Sequence, residues 1–182
     1  MIKKKSLPLM LITLASLSAT SASATDGTLT FKGSVNDNTC VITGHNSNVT
    51  FSEVSVAEVQ SLPHFRTIET IVTPINISSC PASYSTVKIK TNFSADGGNW
   101  IVPEAGSELK GVTTRLTSPD TGLANKDLHN DDEFSINLLN NAAVFNVHSS
   151  LTRNRTLTGA GGAVNVVPGS STGLLNLTMT FE

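Results

Sequence analysis

The chain has 182 residues and a formal net charge of −2 at neutral pH, with 14% charged and 5% aromatic residues. This acidic balance argues against nucleic acid as a partner, because nucleic-acid-binding proteins need a basic face. The length is that of about one domain, which is enough to bury a real core.

The first 24 residues have the three parts of a secretory signal peptide. Lys3 to Lys5 form a basic start, Leu7 to Leu17 an apolar run, and Ala22-Ser23-Ala24 a cleavage site. The apolar run is shorter than the about 20 residues that cross a bilayer, which leaves a membrane anchor as the minor alternative. Cleavage would leave 158 residues with 9 basic and 14 acidic side chains, a formal charge of −5.

The two cysteines, Cys40 and Cys80, both lie in the exported part of the chain. An even pair in an oxidising compartment predicts a disulfide, here closing a loop of about 40 residues. The alternative, a metal site, lacks partners at ligand spacing, because the histidines are scattered. They are His45, His64, His129 and His148.

Short alternating segments separated by turn residues predict an all-β sandwich of about seven to nine strands. One predicted strand, residues 39–50, is interrupted at residues 44–47, and Pro74 suggests a bulge or a sheet edge in another. No domain boundary or repeat interrupts the pattern. The other predicted strands cover residues 67–77, 86–93, 100–102, 112–116, 134–138, 143–151 and 163–167.

Two further alternating segments occupy the ends of the exported chain. The C-terminal strand runs to the last residue, and a strand end frays unless a neighbour ties it down. We therefore expect a donor strand at the N-terminal end and an acceptor groove at the other. An ordinary first strand, packed in the chain's own sandwich, is the alternative. The apolar positions are Leu29, Phe31, Gly33 and Val35 in the first segment and Leu175, Leu177, Met179 and Phe181 in the second.

No catalytic motif is found in the sequence: a nucleophile elbow, a phosphate-binding loop and a zinc-protease helix are all absent. We expect no enzyme activity, cofactor or metal. Trp100 and Tyr84 are the only large amphipathic aromatics, so the chain has few side chains that could stack on a sugar. One acidic group could hold calcium through carboxylate oxygens, but it lacks the spacing of a calcium loop. It comprises Asp127, Asp131, Asp132 and Glu133.

Several motifs together resemble the pilin subunits of chaperone–usher fimbriae, of the type 1 pilus kind. Residues 28–40 resemble the family's N-terminal extension, which precedes the first cysteine. Residues 75–80 resemble the strand that carries the family's second cysteine. Residues 111–117, with Gly122 and Leu123 after them, resemble an internal strand and turn of the family. Gly169 is fourteenth from the end and Phe181 is penultimate, where the family usually has Tyr.

This resemblance implies an incomplete immunoglobulin-like sandwich that a strand from a neighbouring subunit or a chaperone completes. Residues 25–36 would be the donor-strand extension and residues 37–182 the pilin domain. The residues that would fill a neighbour's groove are Leu29, Phe31, Gly33 and Val35. This chain's own groove, which would receive the strand of a chaperone or of another subunit, would be lined by Gly169, Leu175, Leu177, Met179 and Phe181. The implied partners are a periplasmic chaperone, an outer-membrane usher and other pilins, with a host receptor added for an adhesive subunit. The implied final location is a surface fimbria.

Three functions stay open at this point. The first is a polymerising structural subunit, in the rod or nearer the tip, that supports cell adhesion. The second is a single-domain tip adhesin or adaptor that binds a host glycan or receptor. The third is an assembly terminator, against which the apolar N-terminal segment argues.

Overall fold

The structure is a computed structural model that describes residues 27–32, 40–95, 98–102, 109–122, 127–154 and 166–182. For residues 27, 28, 31 and 32 it describes the backbone only. The predicted signal peptide (residues 1–24) and the donor positions Gly33 and Val35 lie outside these ranges, so they stay predictions.

The described residues form ten strands and one short helix. The strands make two five-stranded sheets, the first ordered β3-β1-β10-β5-β8 and the second β2-β4-β9-β7-β6. The predicted all-β class is confirmed, with one strand more than the upper prediction. The elements are β1 (Gly27–Lys32), β2 (Val41–Thr43), β3 (Asn48–Thr50), α1 (Val56–Ser61), β4 (Thr67–Ser78), β5 (Thr86–Asn92), β6 (Trp100–Ile101), β7 (Val112–Thr117), β8 (Glu133–Asn137), β9 (Ala143–Arg153) and β10 (Ser171–Phe181).

The core lies between the two sheets and follows from the alternation along the long strands. In β4, Ile75 and Ile77 are buried, while Pro74 before them and Asn76 between them are exposed. Phe145 of the second sheet is fully buried, and its ring centroid lies 5.3 Å from that of Phe134 in the first sheet. The two inner faces therefore pack directly on each other.

The interrupted strand at residues 39–50 is confirmed, and the interruption moves the chain from one sheet to the other. β2 pairs with β4 in the second sheet, whereas β3 pairs with β1 in the first. Gly44 in the interruption has φ +83°, and a Cβ there would collide with the carbonyl oxygen of Pro74. Only glycine combines this backbone conformation with so close an approach.

Pro74 lies at a partly open side of β4. β2 pairs only with Asn76 to Ser78, so no described strand is paired with β4 on that side at Pro74. The irregularity of the β4–β9 ladder lies between Thr67 and Glu69. Of the two predictions for Pro74, the sheet edge is therefore confirmed and the bulge is wrong. Proline has no backbone N–H, and a strand tolerates its absence where no neighbouring strand would accept a hydrogen bond from it.

Helix α1 was not predicted. Ser55 caps it, accepting a hydrogen bond from the backbone N–H of Glu58 at 3.2 Å, and Val59 is the residue of the helix that is buried. Ser55-Val56-Ala57-Glu58 is the residue pattern of a capping box, which is the signal that the strand-based interpretation overlooked. In the part of the chain that the structure describes, no helix is long and apolar enough to cross a membrane.

Cys40 and Cys80 form the predicted disulfide, across a sequence separation of 40 residues. Both side chains are buried, at 1% and 4% exposure. Cys40 directly precedes β2 and Cys80 follows β4 closely, so the bond joins the paired ends of two neighbouring strands. It therefore fixes the beginning of the sandwich immediately after the segment that carries β1.

Replacing Cys40 and Cys80 together by alanine should lower the free energy of unfolding by about 3 to 4 kcal/mol, because the unfolded chain regains the entropy of an open loop. Urea unfolding of the oxidised protein measures this. Wild-type protein in excess reductant should match the double variant. A loss below about 1 kcal/mol would contradict the predicted role of the bond.

Candidate functional site

β1 lies inside the first sheet, between β3 and the C-terminal strand β10. It pairs in parallel with β10 over six positions, from Gly27 opposite Ser171 to Lys32 opposite Asn176. It pairs antiparallel with β3 over three positions. The β1–β10 pair is the only parallel one between the strands of the described ranges.

The chain thus fills, with its own N-terminal strand, the position that the resemblance leaves for a strand from another molecule. This is the arrangement of the alternative in which the segment packs in its own sandwich. Of the predicted donor positions, Leu29 and Phe31 lie in β1. The structure brings them alongside the predicted groove strand, and the exchange between molecules stays a prediction.

Leu29 is the described side chain of β1 that enters the core. It is 2% exposed and lies opposite Val49 of β3, which is 3% exposed, and Gly173 of β10. Burying a leucine side chain contributes about 1.5 to 3 kcal/mol. Thr30 points the other way and donates a hydrogen bond from its hydroxyl to Asn48 Oδ1 at 3.3 Å.

β10 forms the wall of the site, and its predicted alternation is confirmed. Leu175 and Leu177 are buried at 0% and 7% exposure, and Met179 and Phe181 are partly buried against the same core. The backbone of Phe31 lies in register with Leu175. β5 pairs antiparallel along the other side of β10, from Asn176 to Phe181.

Gly173 allows the opposite sheet to approach the site. A Cβ on Gly173 would lie 2.6 Å from Ile101 Cγ2, closer than carbon atoms can pack, so β6 needs a glycine at this position. A cavity of about 20 Å³, bordered by Leu29, Ile101 and Gly173, lies at the same place. That is room for about one water molecule.

The sequence analysis named Gly169 as the glycine of the groove, and the structure places it elsewhere. Gly169 precedes β10 by two residues, and no described strand pair includes it. Gly173 lies opposite Leu29 instead. No local signal distinguishes the two glycines, because the difference depends on the register between segments far apart in sequence.

The far end of β10 is held by β5 and not by β1. The carbonyl oxygen of Glu182 accepts hydrogen bonds from the N–H groups of Ser85 and Thr86 at 2.7 and 3.0 Å, and Glu182 N–H donates to Thr86 at 3.0 Å. The rings of Phe181 and Tyr84 lie 6.0 Å apart. The C-terminal half of β10 is therefore anchored independently of β1, whereas residues 171–175 pair only with β1 among the described strands.

An exposed ion pair adds to this anchor. Lys88 Nζ lies 2.7 Å from Glu182 Oε1 and 3.9 Å from Glu133 Oε1. The hydrogen bond from Lys88 to the Glu182 carboxylate, followed by the charge of that carboxylate, raises the pKa of Lys88 above its ordinary value.

The acidic group considered for calcium does not converge on one point. Each carboxylate meets a different partner, and the described residues hold no group of three or more His, Cys, Asp or Glu that could bind a metal ion. Asp127 contacts Arg115, Asp131 contacts Lys90, Asp132 accepts from the N–H of His129, and Glu133 approaches Lys88.

Replacing Gly173 by alanine should lower the free energy of unfolding by about 1 to 3 kcal/mol, since the new methyl group displaces Ile101. The loss should be smaller when Ile101 is already alanine, and urea unfolding of the four proteins in a double-mutant cycle measures the difference. Thr178→Ala, on the exposed face of β10, is the control and should change stability by about 0.5 kcal/mol or less. Equal losses in both backgrounds would contradict the contact.

Replacing Glu182 by glutamine should make the protein less stable at neutral pH and remove a pH dependence. Because the pKa of Lys88 is raised in the folded protein, its contribution is complete below the pKa of the unfolded lysine. It is lost only as pH rises through the folded pKa, which lies above the ordinary lysine value of 10.5, so the difference between the two proteins should persist to about pH 10 and shrink above it. Thermal unfolding at about pH 7 to 12 tests this, and a difference that is undiminished at the upper end would contradict it.

Comparison with solved structures finds partial likenesses, among them two bacterial adhesins. A tip adhesin from Pseudomonas aeruginosa, CupB6, aligns over 64% of this chain and 35% of its own length, with 12% identity and a TM-score of 0.45. The receptor-binding domain of the adhesin MrkD1P of Klebsiella pneumoniae aligns over 65% of this chain and 82% of its own length, with 14% identity and a TM-score of 0.29. No protein-family model and no curated protein matches the sequence. The chain thus spans about a third of the length of the first adhesin, and the assignment of function depends on the strand pairing described above.

Proposed function

We propose that this chain is a structural subunit of a bacterial surface fimbria that polymerises by exchange of its N-terminal strand and supports cell adhesion. The observation that carries the proposal is the position of β1. A terminal segment, ahead of the disulfide, fills a central position in the first sheet through a parallel ladder with β10.

A strand from a second copy can use the same groove in the opposite direction. Antiparallel entry would replace six parallel pairs with β10 by antiparallel ones, which are slightly more stable per residue. The three antiparallel pairs with β3, a short strand at the edge of the sheet, would become parallel. The exchange therefore favours the longer of the two ladders.

The chain's own strand nevertheless has a kinetic advantage, because a tethered segment competes at an effective concentration on the order of millimolar. Polymerisation thus requires that β1 be kept out of its own groove until a second copy arrives. A chaperone that lends a strand to β10 does this by β-strand addition, and an usher would then bring the next subunit. The proposed route runs through the periplasm to the cell surface.

A vacant groove also explains why a chaperone is needed. Without β1, the side of β10 from Ser171 to Asn176 has an unpaired backbone, and Leu175 loses part of its cover. An open strand edge with an apolar face is a site of aggregation. A subunit waiting for assembly therefore needs a temporary strand.

A second candidate function, a single-domain tip adhesin or adaptor, is favoured by a different observation. An exposed phenylalanine, Phe65, lies against Trp100 on the outer face of the second sheet. This surface is separate from the groove, so the two functions are compatible in one molecule.

Replacing Leu29 and Phe31 together by aspartate should abolish polymerisation and retain the chaperone complex, because a charged strand cannot enter a dry groove. The chain is expressed with its chaperone and usher, and ladders of polymers that resist SDS without boiling are recorded. Thr30→Asp adds the same charge on the outward face of the same strand and should leave the ladders intact.

Two outcomes would contradict the proposal. Ladders that persist in the double variant would show that β1 is not the donor. Failure to recover a folded chain even in complex with the chaperone would show that β1 is a permanent part of its own core.

A further inference from the structure

Two aromatic rings and an arginine meet on the outer face of the second sheet. The ring centroids of Phe65 and Trp100 are 6.0 Å apart with the planes inclined by 40°, and the guanidinium carbon of Arg115 lies 5.9 Å from the centre of the Trp100 ring. Trp100 and Arg115 are register partners on β6 and β7. Ile101, the next residue along β6, packs inward against Gly173, so Trp100 faces outward.

Phe65 is presented to solvent by a strained backbone. Its φ is +61°, a region that bulky residues rarely occupy, and its side chain is 52% exposed. The conformation is held by a hydrogen bond from its N–H to the carbonyl of Arg153 at 2.9 Å, and Arg153 N–H donates to the carbonyl of Arg66 at 2.9 Å. A strained backbone that holds an aromatic ring in solvent is typical of functional surfaces.

A polar pair lies at the side of the rings. Arg115 Nη2 donates to Asp127 Oδ1 at 2.5 Å, and the two side chains are 37% and 16% exposed. The carboxylate compensates the charge of the guanidinium. The Nε of Arg115 is buried without a partner, so the donors available to a ligand are those at the end of the guanidinium, beside the remaining acceptor positions of Asp127. The surface is thus apolar at Phe65 and Trp100, polar at Arg115 and Asp127, and close to neutral.

We propose that these four residues, Phe65, Trp100, Arg115 and Asp127, form a binding site for a neutral pyranose sugar. The C–H face of the ring packs on the aromatic side chains, and adjacent hydroxyls donate to Asp127 and accept from Arg115. A neutral ligand is favoured over a charged one because the Arg115–Asp127 pair is internally compensated. The site does not depend on the proposed strand exchange, since it lies on the opposite side of β6 from the groove.

Trp100 is the only tryptophan in the chain, so its emission reports directly on this site. The purified protein is titrated with the methyl glycosides of mannose, galactose, glucose and N-acetylglucosamine. At least one should give a saturable change with a Kd on the order of 1 mM, typical of a small exposed site. Saturation-transfer NMR with the same glycosides gives a second readout that does not use Trp100.

Phe65→Gly is the decisive variant, because glycine removes the ring and also relieves the positive φ. By NMR, its affinity should fall by about tenfold or more while its thermal stability is kept. Phe65→Tyr, which retains the ring, should bind like the wild type. Leu139→Ala, which removes a 74% exposed side chain elsewhere on the surface, should also bind normally.

Absence of a saturable signal for all four glycosides by both methods would overturn the proposal, as would wild-type affinity in Phe65→Gly. A loss of binding in Leu139→Ala as well would show a non-specific effect and would equally overturn it. Phe65→Gly should still form SDS-resistant ladders, so a failure of the sugar site and a failure of strand exchange are distinguishable.

Discussion

The structure depends on β10 having a partner strand on each side. A buried strand carries one N–H and one C=O per residue, and nearly all such groups must be hydrogen-bonded. β1 pairs with β10 on one side from Ser171 to Asn176, and β5 pairs on the other side from Asn176 to Phe181. The side chains of Leu175 and Leu177 are buried in the core between the sheets. Whatever fills the position of β1 therefore decides whether the first sheet is continuous.

The strand that meets this requirement on the β1 side lies outside the loop that the disulfide closes. It precedes the disulfide at Cys40, so the covalent closure of the sandwich does not include it. The opposite end of β10, residues 176–182, is held through β5 and through the contact of Glu182 with Lys88, so this half keeps its partners when β1 is absent. A strand that lies outside the disulfide loop and pairs in parallel with β10 is the physical basis of the proposed strand exchange, in which the strand of a second molecule would pair antiparallel.

β6 separates the two proposed functions although it has only two residues. Ile101 faces inward and needs the absence of a side chain at Gly173, whereas Trp100 faces outward and meets Phe65 and Arg115. Because alternate residues of a strand point to opposite faces, assembly and sugar binding can be altered by separate substitutions.

The sequence by itself determined the elements whose signals are local. The alternation of β10 and β1, the interruption before β3, and the pairing of the two cysteines were all readable, because period, turn residues and cysteine count act within short segments. Even the overlooked helix α1 carries its signal in Ser55 and Glu58. Only the tertiary structure decided the rest: that β1 lies beside β10 of its own chain, that Gly173 and not Gly169 meets Leu29, and that Phe65 reaches Trp100. These depend on register and on contacts between residues far apart in sequence, about which a single strand's pattern holds no information.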